Sequence, residues 1–132
     1  MAIAPFPHHY TVGLENESLI APHRAPILGW SPEDLLVGAA LLSAKTTFDA
    51  YAASAGVPIY SWAGSATGIL DRSTSGLVFT SIALDVDVET APGLEGQVAD
   101  LLRKVERTCI VSRSLTARVE ILPTIRSHAR AS

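Results

Sequence analysis

The chain has 132 residues, 48% hydrophobic and only 17% charged, a balance that excludes an intrinsically disordered segment and predicts one globular domain over 1–132 with a real core. A formal net charge of −3 with a pI near 5.7 supplies no basic field for a phosphate backbone, which argues against a nucleic-acid partner. Cys109 is the single cysteine and cannot form an intramolecular disulfide. The opening MAIAPFPHHYTVG has neither a charged n-region nor a continuous apolar one, so the expected setting is the reducing cytoplasm. Lys45 and Asp49 interrupt the most apolar region, and no stretch approaches the ~20 apolar residues of a membrane span.

Two strand-rich blocks are predicted, each followed by one helix, with a final strand at the end. His9 to Leu14 and Ser18 to Ala21 read as short strands around Glu15-Asn16-Glu17, and Pro22 and Pro26 then make an extended loop. Ser31 can N-cap a helix, Pro32 suits its first position, and Glu33 and Asp34 favour its positive end. Asp34 stands where a capping box favours the longer Glu or Gln, so an imperfect box is expected. Leu36, Ala39, Ser43 and Ala50, with Leu35, Leu42 and Thr46 nearby, recur at helical spacing until Gly56 and Pro58 stop the helix.

The period then changes to two. In LVFTSIALDVDVE, Ile82, Leu84, Val86 and Val88 share one face while Asp85, Asp87 and Glu89 take the other, which predicts a half-buried antiparallel strand. Ile59 to Leu70 is its expected partner across the turn DRSTSG. Thr90 and Pro92 announce a second helix whose stripe is Leu94, Val98, Leu101, Leu102 and Val105, with Gly93 and Gly96 weakening its first turn. LTARVEIL alternates Leu115, Ala117, Val119 and Ile121 inward as a last strand, before a polar tail IRSHARAS expected to fray.

At ~100° per residue Cys109 projects within about 40° of Val98, Leu102 and Val105, and Ser43 within about 40° of Leu36, Ala39 and Ala50. If both helices cover one sheet side by side, Ser43 and Cys109 approach each other in a weakly polar pocket. Other chemistry is poorly supported. Adjacent His8 and His9 lack chelate spacing, and Asp85, Asp87 and Glu89 have no oxygen-rich loop, so no metal and no cofactor is expected. Ser43 has no G-x-S-x-G elbow around it. Trp30, Tyr60 and Trp62 serve equally as core aromatics or as the wall of an apolar pocket.

SPEDLLVGAALLSAKTTFDAYAASAG followed, after a hairpin, by LLRKVERTCIVSRSL resembles the osmotically inducible protein C and organic hydroperoxide resistance (OsmC/Ohr) superfamily, most clearly over residues 30–122. The resemblance implies an α+β fold in which two central helices pack on antiparallel sheets of an intertwined homodimer, with sites at the subunit interface. It also implies reduction of organic hydroperoxides by a cysteine pair, held by a glutamate and an arginine and restored by an external thiol reductant.

Glu33 matches the family's glutamate. Ser43, ten residues on, stands where the attacking cysteine stands, and Cys109 matches the resolving cysteine, with Ile110 in place of the usual proline. Arg24 is the nearest candidate for the arginine by loop position alone. A serine hydroxyl cannot be oxidised up the thiol ladder, so the two-cysteine cycle is absent. For Cys109 to react well alone its pKa must fall from ~8.5 to ~6, about 3.4 kcal/mol of thiolate stabilisation, and burial opposes this. Two readings follow: a one-cysteine thiol peroxidase, or a non-enzymatic homodimer that keeps the family pocket for a small apolar ligand.

Overall fold

The computed structural model describes residues 9–15, 18–20, 31–74 and 76–129. Strands β1 (His9–Glu15) and β2 (Ser18–Ile20) precede helix α1 (Pro32–Ala55), and the long strands β3 (Ile59–Ser73) and β4 (Gly76–Thr90) follow it. Helix α2 (Glu95–Thr108), the single turn α3 (Ile110–Arg113) and strand β5 (Arg118–Ser127) complete the order. Arg24, Trp30, His8 and the loop containing Pro22 and Pro26 lie outside the described residues.

The start of α1 follows from its first residues. Ser31 has an extended backbone, its Oγ accepts the Asp34 N–H at 3.0 Å, and the Asp34 carboxylate accepts the Ser31 N–H at 3.2 Å. Both halves of the capping box are therefore made, which corrects the expectation of an imperfect box: the shorter aspartate still reaches. Gly56 ends the helix in the left-handed conformation, φ 70°, and its N–H returns to Ala52 and Ala53 carbonyls.

The described strands form one sheet in the order β2-β1-β3-β4-β5. β3 and β4 make an antiparallel hairpin whose pairing runs on to Ser73 and Gly76, so most of DRSTSG belongs to strands. β5 pairs with β4 in parallel, which corrects the all-antiparallel expectation. The physical reason is the connection: α2 and α3 form a crossover long enough to bring the chain back in the same direction. β5 also reaches Ser127, into the tail expected to fray, because its parallel bonds to β4 continue through Thr90. Its Ile121 N–H donates to the Glu106 carboxylate on α2 at 2.8 Å.

The core lies between the sheet and the helices. Ile82, Leu84, Val86 and Val88 of β4 are buried as the alternation predicts, and Val98, Leu102 and Val105 of α2 are buried as its stripe predicts. On α1 the buried face is Val37, Ala40, Leu41, Ala44, Phe48 and Ala52. The expected stripe is displaced from it: Leu36, Ala39 and Ser43 are half-buried, while Leu35, Thr46 and Ala50 are exposed. α1 comes close to β3, where a Cβ on Gly68 would sit 2.7 Å from both Val37 and Phe79 side chains. Only glycine admits that approach. Trp62 points into the same layer against Phe48, ring centroids 5.0 Å apart.

Candidate functional site

α2 ends at Thr108, one residue before Cys109. The Thr108 hydroxyl donates back to the Lys104 carbonyl at 2.7 Å, a local bond that competes with further helix, and β-branched Ile110 follows. Cys109 itself is extended, φ −60° and ψ 122°, and separates α2 from α3; its N–H still caps the Val105 carbonyl at 2.8 Å. The inward projection of Cys109 holds although the helix has stopped: the residue is 1% exposed.

Its sulfur faces α1. Cys109 Sγ lies 3.2 Å from Ser43 Oγ, so the two sequence-predicted positions are brought together. The protonated thiol donates to the serine oxygen, and once ionised it accepts from the serine hydroxyl. Burial is the largest single influence on this thiol and pushes its pKa up. Hydrogen bonds from Ser43, from the Ser112 N–H and hydroxyl and from the Val111 N–H together outweigh it and hold the pKa below the ordinary value. Thiolate stabilisation here comes from hydroxyls and backbone N–H groups. Arg107 and Arg113, the basic residues closest in sequence, are both exposed.

Glu33 is not brought to this pair. It stands ten residues before Ser43, about 15 Å along the helix axis, and its charge acts on Tyr10, whose phenol is raised first by burial and then by Glu33 and Asp34. It lines an apolar hollow of about 260 Å³ with Leu36, Leu77 and Phe79. A second hollow of about 200 Å³ shares Leu36 and Phe79 and reaches Leu115 and Ala117 beyond α3. Leu36 lies two turns from Ser43 on the same side of α1, so this groove and the thiol border one helix face.

Ser112 and Val111 are the partners that sequence reasoning missed. The signal was the serine three residues after Cys109, a spacing that returns a side chain to the sulfur once the chain turns helical. Of the other candidates, Trp62 is a core residue and half-buried Tyr60 packs against His128, centroids 5.5 Å apart. Asp87 and Glu89 form ion pairs with Arg126 of β5 at 2.9 and 3.4 Å, and no metal-binding cluster occurs among the described residues. No helix among those residues is long and apolar enough to cross a membrane.

Among curated proteins, no sequence matches this chain. Solved structures do match in fold. An OsmC-like protein of unknown function from Vibrio cholerae superposes with a TM-score of 0.64 at 18% identity, covering 91% of this chain and 99% of its own. An organic hydroperoxide resistance protein from Elizabethkingia anophelis, with thiocyanate bound, gives 0.61 at 13% identity over 96% of this chain and 100% of its own. The organic hydroperoxide resistance protein OhrB of Bacillus subtilis gives 0.53 at 12% identity over 89% and 97%. A family model described as OsmC-like protein matches residues 24–122, and with the α+β fold this places the chain in the OsmC-like protein family.

Proposed function

We propose that this chain is a one-cysteine relative of the organic hydroperoxide resistance proteins, in which Cys109 reduces a hydroperoxide and an external thiol replaces the missing second cysteine. The observation that carries the reading is the thiol held 3.2 Å from Ser43 with its pKa below the ordinary value. The Cys109 thiolate attacks the terminal peroxide oxygen, the O–O bond breaks, and the departing alkoxide takes a proton to leave as an alcohol. Ser43 stands close enough to the sulfur to relay that proton. Cys109 is left as a sulfenic acid. An external thiol condenses with it to a mixed disulfide and water, and a second thiol releases free Cys109.

Organic rather than hydrogen peroxide is the fitting substrate class, because the groove along Leu36, Phe79 and Leu115 is apolar. The same reading takes residues 1–132 as a single cytoplasmic OsmC-like domain that forms an intertwined homodimer. Leu35, Ile69 and Leu77, each about two-fifths exposed, leave apolar surface that a second copy would cover; light scattering should return twice the chain mass.

A second reading, a homodimer that binds a small apolar ligand without turnover, is favoured by the 1% exposure of Cys109. Cumene hydroperoxide with a dithiol separates the two. The peroxidase reading expects consumption that Cys109→Ser abolishes. Equal rates for the two proteins would leave the ligand-binding reading.

A further inference from the structure

A second polar tie joins α1 to α2 beside the thiol. Tyr51 Oη lies 2.6 Å from Thr108 Oγ1. Thr108 has one hydroxyl proton, and that proton goes to the Lys104 carbonyl at 2.7 Å. The proton of the 2.6 Å bond therefore belongs to Tyr51, and the chain of donation runs Tyr51 to Thr108 to Lys104. The Lys104 ammonium lies 4.2 Å from the centroid of the Tyr51 ring. One turn of α2 thus grips one α1 side chain by its hydroxyl and by its ring.

We propose that Tyr51 is a positioning residue for Cys109, acting through Thr108 to hold the end of α2 where the sulfur meets Ser43; this rests on Cys109 being the working thiol. Helix ends fray because their last carbonyls lack intrahelical partners. At this end the next residue is Cys109, whose N–H caps Val105 and whose carbonyl accepts the Arg113 N–H at 3.0 Å. Loosening the last turn of α2 moves the sulfur away from Ser43 and turns α3, with the Val111 and Ser112 donors, away from it. Ser43 and Tyr51 are eight residues apart on one helix, so α1 serves as the rigid ruler between the two ties.

Tyr51→Phe removes the donor and keeps the ring. Thiolate ultraviolet absorbance against pH, taken as the difference from Cys109→Ser, reads the effect without any turnover, so failure of the peroxidase reading and failure of this one are separate results. The Cys109 midpoint should move up by about half a unit, a threefold loss of thiolate below the midpoint. Thr108→Val should match it, and Thr108→Ser, which keeps the hydroxyl, should restore the parent titration. In a Ser43→Ala background Tyr51→Phe should shift the midpoint less than it does in the parent, because part of its effect passes through the Ser43 contact. An unmoved midpoint in folded Tyr51→Phe, or a full additive shift in Ser43→Ala, overturns the proposal. If Tyr51→Phe does not fold, the Thr108 pair decides it: equal midpoints for Val and Ser overturn the proposal as well.

Discussion

On the side of α1 that faces the sheet, the apolar Val37, Leu41, Ala44, Phe48 and Ala52 pack over β1 and β3, and Gly68 makes room for the Val37 side chain. On the side that faces α2 and α3, Ser43 meets Cys109 and Tyr51 meets Thr108. The first seam is dry, so its strength is apolar area and close packing. It carries one polar cost, the buried Trp62 Nε1, which has no hydrogen-bond partner among the described residues. The second seam sacrifices apolar contact for hydroxyls and N–H groups that can hold a charge on sulfur. One helix thus turns an apolar face to the sheet and a polar one to the buried thiol.

Breaking the dry seam gives the largest expected effect. Phe48 is fully buried against Trp62, and Phe48→Ala should cost about 3–5 kcal/mol in chemical denaturation. The Cys109 titration should stay where it is while the protein remains folded. A loss below about 1 kcal/mol, or a displaced thiol titration, would mean that the two faces are not independent.

The division between the faces was only half legible in the sequence. Ser31-Pro32 and Gly56 bound α1 because capping is local chemistry, and the two-residue alternation of β4 reads directly because a sheet with one wet face requires it. The stripe of α1 was misplaced for a physical reason: Leu35, Leu36, Val37, Ala39, Ala40, Leu41 and Leu42 surround almost the whole helix, so periodicity singles out no face. The approach of Ser43 to Cys109 was legible from the place of Cys109 on the α2 stripe, which holds although α2 stops short, whereas Ser43 sits beside the buried face of α1 rather than on it. The parallel pairing of β5 was not, since it depends on the length of the crossover through α2 and α3 rather than on any residue of β5. Ser112 was missed because its role needs the break at Cys109, where the Thr108 back-bond and β-branched Ile110 end α2 and α3 starts anew.

The polar seam can be sharpened by making it covalent. With sulfur at both positions, closing the 3.2 Å separation to a bonded ~2.05 Å needs a shift of about 1 Å. Ser43→Cys should therefore form a disulfide with Cys109 under mild oxidant, seen as loss of both free thiols. The bridge closes a span of 66 residues, and the oxidised variant should gain about 2–4 kcal/mol over its reduced form. Two titratable thiols surviving in oxidant would mean that the seam opens in solution.

The smallest expected effect tests the sign of the electrostatics. Cys109 has a lowered pKa when folded and the ordinary thiol value when unfolded. Below the folded pKa both states hold the proton and the group contributes nothing. Between the two values the unfolded chain binds more protons than the folded one, so stability rises with pH; above the unfolded value the contribution is complete. Denaturation of the parent and of Cys109→Ser across the thiol range should show the parent gaining relative stability as pH rises, and losing it as pH falls through the folded pKa. The opposite slope would mean that burial governs the sulfur more than its hydrogen bonds do. The face of α1 that carries Ser43 would then be as dry in its energetics as the face that carries Phe48, and the reason for a serine at that position would have to be sought in packing alone.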